Sequence, residues 1–392
     1  MQSRLVPILV LCTALVVVLL IPLKVTSLGY LPPDDALRHA GKVFSGKDWN
    51  EILVIRDSIK MDSHPGWHAM LGVVHRLVGG GPDLLVLFSV VFLFALFCMV
   101  PVFGFGRPET WIMSLLALTI MQPNLITRLF LGRPYIFTMA VTLVLCLTWR
   151  KLSDKKTSYG TILLLTVLVS LSTWIHCAWY LFALPLVSFA LARQWRAVRR
   201  LAFVIAIGIA LGALATGSPF VFLKQSFLHM WGAFSSHQLE RMLVGEFQPF
   251  MGDGSIVIVV MLLLIWRKIK GGDLGTLKGD PVFMLAVTGW VLGFVSRRFW
   301  LDWGTPAVAV WIAMEFQEQL DLKIKYESVS RLFLALVVAG TFYLAITSDR
   351  GSRWSGSLTK EYLTSENPEH APWLPGPGGI LYSDDMTIFY DT

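Results

Sequence analysis

From Leu5 to Leu23 the chain carries no charged side chain, and stretches of this kind recur almost to its end. A helix needs roughly 20 apolar residues to cross about 30 Å of hydrocarbon. On that ruler the runs 5–23, 84–104, 110–127, 131–149, 159–176, 178–192, 201–219, 251–266, 282–296, 303–316 and 331–347 predict an all-α polytopic membrane protein of about 11 transmembrane helices. The run 159–192 is nearly twice the bilayer thickness and is read as two helices broken near His176. Composition agrees: 15% of the 392 residues are charged and the mean hydropathy is +0.63. An ordinary soluble domain carries roughly 25% charge.

Basic residues cluster between these runs rather than in one soluble patch. No nucleic-acid-binding motif is present, so the basic balance is a topology signal and not a nucleic-acid footprint. The clusters Arg150–Lys156, Arg193–Arg200, Arg267–Lys278 and Lys323–Arg331 all fall on the side of Arg4 when about 11 helices are traced. That side is expected to be the cytoplasm. The N-terminal run reads as an uncleaved first helix, because no small-residue cleavage site follows before Tyr30. Cys12, Cys98, Cys146 and Cys177 sit in apolar runs as small buried hydrophobes. No Asn-x-Ser/Thr sequon occurs, which favours a bacterial source; with the basic side inward, the expectation is a bacterial inner membrane with the N-terminus cytoplasmic and the C-terminus outside.

The other face is expected to carry an outer loop at 24–83 with short interfacial helices, an outer segment at 218–250, and the tail 348–392. The membrane domain itself spans 1–347. The tail stops abruptly, compatible with truncation.

Polar residues with chemical potential gather on that outer face. Tyr30-Leu31-Pro32-Pro33-Asp34-Asp35-Ala36-Leu37-Arg38-His39 starts a helix: proline suits the first turn and carboxylates complement the helix dipole. The same acids are candidates for a general base. In a helix Asp34 would reach Arg38, and Asp35 would reach His39, at i,i+4. Asp62-Ser63-His64-Pro65-Gly66-Trp67-His68 opens a second amphipathic helix that ends at Gly79–Gly81. Its His64, His68 and His75 share one face. With Asp62 they suit either zinc or, as the plainer reading, substrate contacts at the interface; no metal is assigned to them. Arg133 in Thr127–Tyr135, and Arg297 and Arg298 in Ser296–Pro306, are either lipid-facing anchors or guanidinium clamps for a phosphate.

In order and sidedness these motifs resemble the GT-C glycosyltransferases, in particular the protein-mannosyltransferase and aminoarabinose-transferase-like group. Asp34-Asp35 stands where that family has an acidic first-loop motif. His64-Pro65-Gly66-Trp67 is similar to its His/Lys-Pro-Pro-Leu-aromatic motif, with Gly66 in place of the second proline. Arg133-Pro134-Tyr135 looks like its Arg-Pro turn, with Tyr135 where some members carry an acid. Arg297-Arg298-Phe299 before Pro306 looks like its late Arg-Tyr motif. The resemblance implies a GT-C-like bundle and transfer of a sugar, with inversion, from a polyprenyl-phosphate donor to a hydroxyl acceptor on a lipid, glycan or protein. Asp35 or Asp34 would be the base, with Asp35 favoured. Arg133, Arg297 and Arg298 would hold the lipid phosphate. Arg38, His39, Asp62, His64, Trp67 and His68 would form the substrate loop; no cofactor is assigned, and since some relatives use a divalent metal and others do not, a divalent metal stays open. Partners are then the lipid donor, the acceptor and membrane lipids. Three other readings compete: a transporter or lipid flippase, a ligase that uses a lipid-pyrophosphate-linked glycan, and a non-catalytic scaffold with a decayed site, for which Tyr135 in place of an acid speaks.

Overall fold

A computed structural model describes residues 5–32, 35–47, 61–235, 248–250, 252 and 254–358. The described residues are mostly helical, with no strand among them. In chain order the helices are α1 (Leu5–Ser27), α2 (Asp35–Ser45), α3 (Pro65–Val78), α4 (Pro82–Gly104), α5 (Pro108–Met121), α6 (Pro123–Phe130), α7 (Tyr135–Ser153), α8 (Tyr159–Ile175), α9 (Ala183–Leu191), α10 (Trp195–Leu214), α11 (Pro219–Ser235), α12 (Gly254–Ile269), α13 (Pro281–Gly293), α14 (Thr305–Lys323) and α15 (Val329–Thr347). Proline opens α3, α4, α5, α6 and α13, where its missing N–H costs nothing.

Several of these helices mark a membrane protein. Five, α1, α4, α7, α10 and α15, are long and apolar enough to cross a bilayer. The count of about 11 is not reached on the described residues. The predicted run 110–127 is broken into α5 and α6, which bend by 106° at Gln122. Pro123 explains the break: it has no N–H to continue the ladder and starts a new helix instead. The run 159–192 also breaks, at His176, giving α8 and a 3₁₀ turn (Trp179–Phe182) that leads into α9. α8, the Trp179–Leu191 segment and α13 are shorter apolar helices. α14 is longer than its apolar run predicts and ends in Glu315, Gln317, Glu318 and Asp321.

α14 is the axis of the bundle. From Trp300 to Ala313 every residue is buried. Ser114 on α5 donates to the Ala309 carbonyl at 2.7 Å, a satisfied polar contact in the apolar interior. Gly289 on α13 faces Gly304 so closely that a Cβ there would lie 2.5 Å from the Gly304 Cα. The two backbones can cross only because neither residue has a side chain. The outer faces of α1, α10 and α15 leave Leu5, Phe203 and Phe333 more than half exposed. Such surface suits hydrocarbon rather than water.

The basic loops gather at one end of the bundle. Arg200 donates to the Leu152 carbonyl at 2.7 Å, and Gln194 donates to the Gly279 carbonyl at 2.8 Å. Arg267 pairs with Glu315 at 2.5 Å. Arg331 pairs with Glu109 at 2.6 Å. The first bond joins the first two predicted clusters, the second reaches Gly279 beside the third, and Lys323 of the fourth lies over Trp266, next to Arg267, at 5.1 Å. The start of α1 is there too, since Val6 and Val10 pack against Leu332 and Ala335. α7 leads from this end to the opposite one, about 28 Å away at 1.5 Å per residue.

Candidate functional site

At the opposite end, Asp35 is the first residue of α2, where its carboxylate meets the positive end of the helix dipole. It pairs with Arg38 at 2.8 Å and with Arg133 Nε at 3.2 Å. The helical spacing therefore joins Asp35 to Arg38 at i,i+3. The expected Asp35–His39 pair is absent, because His39 turns toward α3. Arg133 arrives through the turn between α6 and α7. That turn depends on Gly132, which has φ +61° and would place a Cβ 3.2–3.3 Å from Ala36, Val90 and Ser89. A side chain at 132 would push the turn off α2 and α4 and carry Arg133 with it. Asp34 lies outside the described residues.

Asp62 and the histidines form a second cluster against the first. Gln225 on α11 holds Met61 with two hydrogen bonds, accepting from its N–H at 3.1 Å and donating to its carbonyl at 2.7 Å. This fixes the chain just before Asp62. Asp62 Oδ1 accepts the His64 N–H at 2.8 Å, and Oδ2 accepts from His68 Nδ1 at 2.5 Å. His68 Nε2 lies 2.8 Å from His39 Nδ1. A carboxylate only accepts, so His68 Nδ1 carries the proton. His68 Nε2 and His39 Nδ1 face each other across the second contact, so Asp62, His68 and His39 form a chain that ends at His39 Nε2.

His64 stacks on His176 at 5.6 Å and meets His39 edge-on at 4.8 Å. Burial, and then the neighbouring imidazoles and guanidiniums, push His39 and His64 well below the ordinary histidine value. Burial pushes the Asp62 carboxyl up, but the His68 hydrogen bond and charge outweigh it and hold it below the usual range. Among the described residues no three such side chains are placed to hold a metal ion. His75 shares the expected helix face but stands apart, with its ring 5.7 Å from Phe44.

The third cluster hangs on a π-helical turn, Trp300–Gly304, whose wide pitch turns Asp302 into the protein. Asp302 Oδ1 accepts from Arg128 Nε at 2.9 Å and Nη2 at 2.6 Å, and Oδ2 accepts from Arg298 Nε at 3.2 Å. Arg298 also reaches His176 Nε2 at 3.5 Å, which ties this cluster to the histidines. The Arg128 guanidinium covers the Tyr135 ring at 4.3 Å. Arg297 is half-buried, and its backbone N–H donates to the Gln248 carbonyl at 2.8 Å.

Arg133 and Arg298, expected to be open clamps, are thus already paired with carboxylates, Asp35 and Asp302. Trp67, expected in the substrate loop, is fully buried and stacks toward Phe92 at 6.5 Å. It anchors α3 to the bundle and has no exposed surface to offer a substrate. Residues that carry the site but were not singled out for it are Arg128, His176, Gln225 and Asp302. Arg128 and Asp302 do stand inside the two motifs read as clamps, five and four residues from Arg133 and Arg298. Gln225 gave no signal in the sequence. Comparison with family models, with curated proteins and with solved structures finds no match.

Proposed function

We propose that the protein is a membrane glycosyltransferase of the GT-C type, which moves a sugar from a polyprenyl-phosphate donor to a hydroxyl acceptor at the carboxylate-and-histidine end of the bundle. The observation that carries this reading is the Asp35–Arg133 ion pair at 3.2 Å. It joins the acidic motif of the first loop to the Arg-Pro turn, which lie nearly a hundred residues apart and are the base and phosphate clamp that the motif order implies. In the reaction the acceptor oxygen attacks the anomeric carbon as the carbon–oxygen bond to phosphate breaks. The acceptor proton passes to Asp35, and the lipid phosphate leaves with the bonding electron pair.

Arg38 and Arg133 both engage the Asp35 carboxylate, at 2.8 and 3.2 Å, and so occupy the lone pairs that an acceptor proton would need. A donor phosphate competes for Arg133 bidentately and frees one side of the carboxylate. Donor binding would then switch on the base. His39 Nε2, one helical turn along α2, is a second proton acceptor, oriented by His68 and Asp62. Arg298 and the half-buried Arg297 supply further positive charge. Preorganised donors of this kind typically contribute about 3 kcal/mol each to barrier lowering.

For the topology we propose that the shorter helices also cross the membrane, giving about 11 spans. The cation-rich end is then cytoplasmic and the site faces outward, as expected for a bacterial inner membrane. The joined basic loops support this arrangement.

The test is turnover of isotope-labelled polyprenyl-phosphate sugars by the purified chain in lipid nanodiscs, beside Asp35→Asn and Arg133→Ala. Release of free polyprenyl phosphate by the wild type, lost in Asp35→Asn and reached only at higher donor concentration in Arg133→Ala, is the expected result. Full turnover by Asp35→Asn would refute the carboxylate base. Folded wild-type protein that neither binds nor turns over any donor would refute the transferase reading.

A further inference from the structure

A pocket of about 320 Å³ opens at the cation-rich end, beside the start of α10, and its walls are four cations: Lys155, Arg196, Arg199 and Arg200. Arg200 builds it. Its guanidinium donates to the Leu152 carbonyl at 2.7 Å, to the Asp154 carbonyl, and to the Lys155 carbonyl at 3.1 Å. These bonds close the last turn of α7 against α10 and bring Lys155 beside the other arginines. Arg196 lies three residues from Arg199 and four from Arg200, so neighbouring Cβ atoms are about 5–6 Å apart. Among the described residues Lys155, Arg196 and Arg199 form no ion pair. The first turn of α10 contains no acid. Like charges at this spacing destabilise a helix, and cations at its start oppose the dipole. The cluster therefore carries an electrostatic cost that a bound anion removes.

Beyond the pocket the same face of α10 turns apolar. Arg196, Arg199, Phe203, Ile207, Leu211 and Leu214 follow one another at steps of three or four residues, which makes them one stripe of the helix. All six are exposed, the cations first and the hydrocarbon side chains after them. From Phe203 to Leu214 the stripe runs about 16 Å at 1.5 Å per residue, close to half of the roughly 30 Å hydrocarbon core. α10 is one of the five helices long and apolar enough to cross a bilayer. Trp195, beside Arg196, is 60% exposed, at the level where an interfacial aromatic ring belongs. The stripe thus matches one phospholipid from phosphate to acyl chain: cations at headgroup level, then one leaflet's depth of apolar surface.

We propose that this pocket holds the headgroup of an anionic phospholipid from the leaflet that meets the cation-rich end, with its phosphate on Lys155, Arg196 and Arg199 and an acyl chain along Phe203, Ile207 and Leu211. Guanidinium N–H groups take phosphate oxygens directly, and exposure is what such a site needs, since the headgroup arrives along the membrane surface. Three uncompensated cations favour a headgroup of net negative charge. A zwitterionic headgroup brings its own ammonium into the same positive field and loses part of that attraction. The proposal is independent of the transferase reading.

The test uses the full chain, delipidated in detergent and titrated separately with phosphatidylglycerol and phosphatidylethanolamine of the same acyl chains. Bound lipid is counted by native mass spectrometry. One tightly held phosphatidylglycerol per chain is expected, bound about tenfold or more tightly than phosphatidylethanolamine, with a margin that shrinks as ionic strength rises. The double variant Arg196→Gln with Arg199→Gln, at two exposed positions, should abolish the preference and keep the wild-type unfolding midpoint. Arg200 is left in place because it holds the end of α7. As a control, Lys268→Gln with Lys270→Gln removes the same charge from two other exposed positions at the same end and should leave the preference intact. Equal affinity for the two lipids would overturn the proposal. So would a preference that survives the Arg196 and Arg199 changes, or one that the Lys268 and Lys270 control loses equally, since total charge would then set it.

Discussion

Asp302 has the most to lose by substitution. It lies in the protein with about 5% of its side chain exposed, as does Arg128, and it accepts two hydrogen bonds from Arg128 and one from Arg298. Asp302→Ala removes all three and leaves the Arg128 charge buried. Breaking one side of a buried ion pair costs ~3–5 kcal/mol. Arg128 already stands over Tyr135 at 4.3 Å in the wild type, so that contact is common to both proteins and leaves the difference unchanged. Arg298 is partly exposed and can turn to solvent. The expected net cost is therefore near the lower bound, ~3 kcal/mol. At roughly 2 °C per kcal/mol for a large chain this lowers the unfolding midpoint by about 6 °C. Thermal unfolding in nanodiscs, followed by tryptophan fluorescence, measures it. The double variant Arg128→Met with Asp302→Leu removes both charges and should return to within a degree or two of wild type. A shift below about 1 °C in the single variant, or a double variant as unstable as the single, would refute the claim that breaking the Arg128–Asp302 pair sets the cost.

Gly132→Ala combines a left-handed backbone with Cβ contacts at 3.2–3.3 Å, so it should destabilise by about 1–2 kcal/mol and weaken the Asp35–Arg133 pair; a double-mutant cycle with Asp35→Asn reads that coupling. Trp67→Phe should lower stability and leave donor affinity unchanged, since Trp67 touches only the interior. Acidification should loosen α2 and α3. In the unfolded chain His39 and His64 take up protons near 6.5, and in the folded chain only at a lower pH. Stability from these groups is therefore complete above about 6.5 and falls as pH drops through the window below it. Hydrogen exchange at pH 7 and pH 5.5 should show this loss, and His64→Asn should reduce it.

Much of the bundle was legible because the bilayer leaves so few options. Long uncharged runs can only be membrane helices or core, and basic clusters between them mark one face. The bonds between Arg200 and Leu152 and between Gln194 and Gly279, with Lys323 over Trp266, bring those clusters to one end of the bundle. Helix starts at Pro65, Pro82 and Pro281 were equally local, since proline imposes them by covalent geometry. The sequence also picked out Asp35, Arg133, His64, His68 and Arg298 by residue type and order.

Which of these residues touch was decided only by the fold. Period alone put Asp35 opposite His39, but α3 packs on α2 and offers His68 to His39, while the Gly132 turn brings Arg133 to Asp35 from a distant part of the chain. The Pro123 break and the π turn at Trp300–Gly304 aim Arg128 and Asp302 at each other, an alignment invisible to helical spacing because the chain bends by 106° just before α6 and Asp302 sits in a π turn. The amphipathic pattern could place Trp67 on α3 but not say that its face is the one buried against α4. Local physics sets where each helix begins, ends and meets lipid; the partners of a charged side chain depend on which helix ends share the same few ångströms, and those are set by packing.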